Sequence, residues 1–136
     1  MSSKQIFLDT SFVIALINER DQYYLAAQEL VDLYDEELLV TSEPVLFEVA
    51  NALSRAYKKE AVRVIETLLE SENVEVVPVT EDLFKRAFLL YKKYEDKDWG
   101  LVDCLSFVIM EEKNINEVLT FDRHFLQAGF RVLTIK

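Results

Sequence analysis

Apolar positions along this chain follow two rhythms, short continuous runs and longer stretches spaced three and four apart, and the two alternate. Ile6, Phe7 and Leu8 form a short run that ends at Asp9. Thr10 and Ser11, both good helix N-caps, then lead into the helical stretch 12–17. Residues 23–34 place Leu25, Ala26, Leu30, Val31, Leu33 and Tyr34 at helical spacing. Residues 38–40 read as a second strand, after which Thr41 or Ser42 can cap a helix with Pro44 in its first turn, running through Leu46, Val49, Ala50 and Leu53 toward Tyr57. A further helix is predicted over 61–69. Residues 74–79 alternate and are rich in valine, which predicts a third strand, and Thr80 caps a long helix through Leu83, Ala87, Leu90 and Tyr94. A helix over 101–110 breaks at Asn114, and strands are predicted at 118–120 and 132–135. Strands alternating with helices mean an α/β domain, a parallel sheet of about five strands covered on both faces as a three-layer α/β/α sandwich.

No stretch is rich enough in Pro, Ser or Gly to serve as a linker, and no repeat is visible, so residues 1–136 are expected to form one domain. With two distant glycines, Gly100 and Gly129, neither a P-loop nor a dinucleotide fingerprint can be written. One cysteine, Cys104, excludes an intramolecular disulfide and multi-thiolate metal sites, and one histidine, His124, excludes any site needing two imidazoles. Carboxylates are what the chain has in abundance: 25 acidic residues against 15 basic ones, a net charge of −10. That balance opposes simple binding to phosphate backbones, which relies on clustered Lys and Arg. No run is long enough to span a membrane, and the lone cysteine in an apolar context suits a reducing cytoplasm, which is the expected location.

In a parallel α/β sheet, ligands bind beyond the carboxyl ends of the strands, and acids fall there. Asp9 follows the first strand directly and Asp122 lies two residues beyond Thr120, at the end of the fourth. From Leu101 to Met110 every residue is apolar except Asp103 and Ser106, which share one helical face. An unpaired carboxylate in so apolar a helix is costly, and Asp103 is expected to carry the largest burden of the group. A divalent cation offsets it, since converging carboxylates and hydroxyls make the hard oxygen site that Mg2+ or Mn2+ prefers. Glu48 is the fourth candidate, in a polar stripe with Asn51 and Arg55. Blander readings stand beside each: Asp9 as an N-cap, Asp103 as a first-turn acid favouring the helix dipole, Asp122 as a turn residue, Glu48 as part of a solvated face and His124 as a loop residue.

Four segments together resemble the PIN domain family: Ile6-Phe7-Leu8-Asp9-Thr10-Ser11-Phe12; Phe47-Glu48-Val49-Ala50-Asn51; Leu101-Val102-Asp103-Cys104-Leu105-Ser106-Phe107; and Leu119-Thr120-Phe121-Asp122-Arg123-His124-Phe125 with Ala128-Gly129-Phe130. They occur in the family's order and spacing and cover essentially the whole chain. Chains of this size resemble in particular the ribonuclease toxins of VapBC toxin–antitoxin pairs. The resemblance implies a sheet of strand order 3-2-1-4-5 and a divalent-metal-dependent endoribonuclease. It also implies that Asp9, Glu48, Asp103 and Asp122 are metal ligands and catalytic acids. Thr10, Ser11, Asn51, Ser106, Thr120 and Arg123 are expected to support the site or the substrate, with Asp98 as a peripheral acid. A homodimer and a small antitoxin partner are further expectations.

Two other classes fit part of this pattern. Phosphoaspartate enzymes also gather carboxylates around Mg2+, but the phosphatases among them want a second Asp two residues after the first, where this chain has Ser11, and receivers want an acidic pair after the first strand. A PIN-like module that binds RNA or protein without cutting is the remaining alternative. It would not need all four acids.

Overall fold

The computed structural model describes residues 4–135. In chain order the elements are β1 (Gln5–Leu8), α1 (Thr10–Ile17), α2 (Tyr24–Tyr34), β2 (Leu38–Ser42), α3 (Glu43–Ala52), α4 (Lys58–Glu70), β3 (Val74–Val77), α5 (Glu81–Lys93), α6 (Leu101–Glu112), β4 (Glu117–Leu119), α7 (His124–Gln127) and β5 (Arg131–Val132). All strand pairs are parallel, and the sheet order is β3-β2-β1-β4-β5, with helices on both faces. Ile6 and Phe7 are fully buried, as both sides of a central strand in a covered sheet must be. Registers Phe7 to Val40 and Leu8 to Leu119 bring the carboxyl ends of β1, β2 and β4 to one edge.

An aromatic cluster fixes the elements that carry the later acids. Phe107 of α6 stands edge-on to Phe125 of α7 and to Trp99, each at a centroid distance of 5.0 Å, and Phe7 and Phe130 close the group. Burial of such rings dominates the energetics of a core this size. Glu117 is a buried acid at the amino end of β4, opposite to the carboxyl ends of the strands. It pairs with Lys4 at 3.1 Å and Arg131 at 3.2 Å.

Several boundaries differ from the sequence pattern for identifiable reasons. The helix expected to reach Tyr57 stops at Ala52, where the Ser54 hydroxyl donates to the Ala50 carbonyl at 2.7 Å and Tyr57 turns left-handed with φ 65°. The stripe Glu48–Asn51–Arg55 therefore does not continue along one helix. The strand expected over 74–79 ends at Val77, before Pro78, which has no N–H to continue a ladder. The last strand is only Arg131–Val132 rather than 132–135, and α7 is a four-residue helix with no counterpart in the sequence pattern. Thr10 and Ser11 do not cap α1; Asp9 occupies that position, with extended φ −90° and ψ 160°.

Candidate metal centre

Each acid reaches the strand tips by a different local device. Asp9 leaves β1 in extended conformation, its N–H donates to the Leu119 carbonyl at 3.1 Å, and its side chain points back over the first turn of α1. The Ser11 hydroxyl donates to its Oδ2 at 2.8 Å and the Thr120 hydroxyl to the same atom at 2.7 Å, so Oδ1 receives no hydroxyl. The two hydroxyls are themselves 3.0 Å apart, and the Phe121 N–H donates to Ser11 Oγ at 3.0 Å. Asp9 is thus both a helix cap and the centre of a hydroxyl clamp spanning β1 and β4.

The network continues outward. Asp122 N–H donates to Thr120 Oγ1 at 3.0 Å, and Asp122 Oδ1 accepts the His124 N–H at 2.9 Å, an Asx turn that starts α7. His124 Nδ1 lies 2.8 Å from Asp103 Oδ2 and 3.2 Å from Asp122 Oδ1, bridging the two carboxylates. Asp103, in the first turn of α6, also accepts the Gly100 N–H at 3.0 Å. The turn reading of Asp122 and the first-turn reading of Asp103 therefore hold alongside their convergence. His124 is a correction: it is not a plain loop residue but the group that faces both acids. Its signal in the sequence was the Asp-x-His spacing, which an Asx turn folds back on itself.

Glu48 is exposed on α3, and the Thr10 hydroxyl donates to its Oε1 at 2.6 Å, which joins α3 to the start of α1. Ser106 is fully buried one turn after Asp103, and its Oγ has no hydrogen-bond partner among the described residues. Asn51, Asp98 and Arg123 are exposed. None of their side chains makes a hydrogen bond or ion pair among the described residues.

Burial and mutual repulsion act on these acids in the same direction. Burial first, and the nearby Asp103 charge in addition, push the Asp9 carboxyl up to about 6 against the pull of its hydroxyl donors. Asp103 is also raised, first by burial and then by Asp122, while Gly100 N–H and His124 oppose the shift. The largest burden falls on Asp9, 3 % exposed, and not on Asp103, which the helix pattern had favoured. Asp103 has two partners that the apolar pattern of its helix could not disclose.

The residues fit a divalent cation. Asp103, Asp122 and His124 each offer a ligand atom within 4.8 Å of the others. Asp9 and Glu48 stand outside that trio; the Asp103 charge reaches Asp9, whose second oxygen is clear of the hydroxyl clamp, and Glu48 is tied to Thr10. A cation stabilises the ionised form of each raised acid, and hard oxygens with one imidazole suit a small divalent ion.

Known proteins resemble this chain in sequence and in fold. The PIN domain family matches residues 6–131. A 23S rRNA-specific endonuclease VapC20 from Mycobacterium tuberculosis is 33% identical over 92% of this chain and 95% of its own length. A VapC ribonuclease from Aquifex aeolicus is 28% identical over 93% of each chain. The crystal structure of Mycobacterium tuberculosis VapC20, described as a Sarcin-Ricin loop cleaving toxin, superposes with a TM-score of 0.88 at 31% identity, covering 96% of this chain and 99% of that one. VapBC2 from Rickettsia felis, at 16% identity, a TM-score of 0.69 and coverage of 95% and 97%, shares the fold.

Proposed function

This chain belongs to the PIN domain family, in its VapC-like branch, and from that premise we propose how its own residues hold a metal and cut RNA. It is a divalent-metal-dependent endoribonuclease, the toxin of a type II toxin–antitoxin pair, and not a module that only binds. The observation that carries the reading is the continuous network Asp9–Thr120–Asp122–His124–Asp103 at the carboxyl ends of β1 and β4.

Asp9, Asp103, Asp122 and Glu48 would hold the cation, Mg2+ or Mn2+. A divalent cation supplies the charge that activates water and stabilises the phosphate in an in-line displacement. The chain's own contributions are positional. Ser11 and Thr120 fix one oxygen of Asp9, His124 holds Asp103 and Asp122 together, and Thr10 ties Glu48 to the start of α1. Arg123, exposed beside Asp122, would meet a substrate phosphate in this reading, and a bound cation would offset the charge of the neighbouring acids. Asn51 and Ser106 are supporting residues in the same reading.

The substrate class that agrees with the relatives is a ribosomal RNA loop, and the partner is a small antitoxin protein. Residues 1–136 act as one nuclease unit in the cytoplasm, as a homodimer; among the described residues no helix is long and apolar enough to cross a membrane. The test is cleavage of a mixed single-stranded RNA by protein freed of metal. No product is expected in excess EDTA, and Mn2+ should restore cutting to the wild type but not to Asp103→Asn. Full cleavage in EDTA overturns the metal mechanism.

A further inference from the structure

Beside the carboxylates, three aromatic rings stack outward from the core. Phe12, on α1 and 1 % exposed, lies 6.0 Å from Phe121, and Phe121 lies 4.5 Å from Tyr23 with only 3° between their planes. Tyr23 is 41 % exposed although one of its ring faces is covered. The middle ring belongs to the site itself: Phe121 stands between Thr120 and Asp122, and its N–H donates to the Ser11 hydroxyl that clamps Asp9. Rings in the core of this protein cross at angles from 30°, as at Phe7 with Phe125, to 84°, as at Phe107 with Phe125. The Tyr23–Phe121 pair is instead parallel, and its outer member reaches solvent.

Tyr23 is also an unusual choice for its place. It occupies the N-cap position of α2 and makes no side-chain cap hydrogen bond, where Ser, Thr, Asp or Asn would supply one. Its backbone is held instead by Asp21, whose Oδ1 accepts the Tyr23 N–H at 2.8 Å. Asp21 thus caps the helix start from two residues upstream, which leaves Tyr23 to hold a flat ring against Phe121, next to Asp122. Unpaired nucleobases bind to just such faces, since every base has a π-face and stacking tolerates any sequence.

We propose that Tyr23, backed by Phe121, is the platform on which an unpaired base of the RNA substrate stacks next to the bond that is cut. The proposal rests on the ribonuclease reading above and adds to it a reason for choosing unpaired RNA. A paired base is already stacked on its neighbours and cannot lie on Tyr23 without leaving the helix. It also supplies affinity to a chain of net charge −10 from a source that salt does not screen. Tyr23 is a substrate-positioning residue; the carboxylates do the chemistry.

The experiment compares wild type with Tyr23→Leu, Tyr23→Phe and Tyr23→Trp, each checked by melting temperature. Cleavage of a short single-stranded RNA in Mn2+ is measured beside stopped-flow fluorescence of the same RNA carrying 2-aminopurine, followed in Mn2+ as it binds and before it is cut. Tyr23→Leu should raise KM about tenfold with kcat little changed, while the Phe and Trp variants stay near wild type. The salt dependence of KM should keep its slope, because no phosphate contact is lost. Quenching of 2-aminopurine should accompany binding to wild type and vanish with Tyr23→Leu. Unchanged KM and quenching in Tyr23→Leu overturn the platform. So does a fall in kcat and melting temperature that Trp does not rescue, which would make Tyr23 a structural cover for Phe121. Quenching by a wild type that does not cut would leave the platform standing and sink the nuclease reading; neither quenching nor cutting would sink both.

Discussion

Asp9 is the most deeply buried carboxylate of the candidate site. Its folded-state pKa, pushed from 3.8 to about 6 mainly by burial, means that the native protein binds this proton more tightly than the unfolded chain does. The stability it contributes is therefore fully present below about pH 4 and is lost as pH rises through 6, the reverse of a salt-bridged carboxylate. In EDTA at pH 7, Asp9→Asn should unfold with a free energy higher by on the order of 1–2 kcal/mol, the gain should shrink toward pH 4, and cleavage should be lost. Denaturant melts at the two pH values check this; a variant less stable than wild type at pH 7 would contradict it. At this scale the sequence disclosed the acids but not their partners. Asp9, Asp103 and Asp122 stand out because charge at a strand tip or in an apolar helix is anomalous locally. The His124–Asp103 contact joins residues 21 apart, and only the folded chain makes that pairing.

Among the elements, α6 matters most, because one face delivers Asp103 and another is packed into the aromatic cluster. Phe107, buried against Trp99, Phe125 and Phe130, sets where the first turn of α6 lies relative to α7, and so where Asp103 meets His124. Phe107→Ala should cost about 3–5 kcal/mol of stability and reduce cleavage even at temperatures where the variant is folded. Calorimetry paired with the RNA assay checks this, and full activity in a folded Phe107→Ala variant would show that α6 needs no such anchor. Long helices were legible from periodicity and caps: Thr80 caps α5 through its bond to the Leu83 N–H at 3.1 Å, as its position suggested. The termini were less so. Ser54 and Tyr57 end α3 by a back-bond and a positive φ, and α7 is too short for any period to register.

For the whole molecule, the parallel order β3-β2-β1-β4-β5 is what places acids distant in sequence at one edge. Alternating strands and helices predicted a covered parallel sheet, but the order of its strands came from family resemblance, since periodicity carries no information on which strands are neighbours. Away from that edge, α5 leaves Phe84, Phe88, Leu89 and Tyr91 exposed, with Phe88 stacked between the other two rings. Such a face on a small protein favours self-association. Light scattering should return a dimer, and Phe88→Glu a monomer; a wild-type monomer at high micromolar concentration would contradict the homodimer.

The central claim is that Asp9, Asp103, Asp122 and Glu48 hold one catalytic cation centre, and direct titration of Mn2+ into metal-free protein by calorimetry tests it without relying on turnover. The wild type should bind, and Asp9→Asn, Asp103→Asn, Asp122→Asn and Glu48→Gln should each weaken binding by about tenfold or more while remaining folded in EDTA. Wild-type Mn2+ affinity in folded Asp9→Asn and Asp103→Asn would contradict the account.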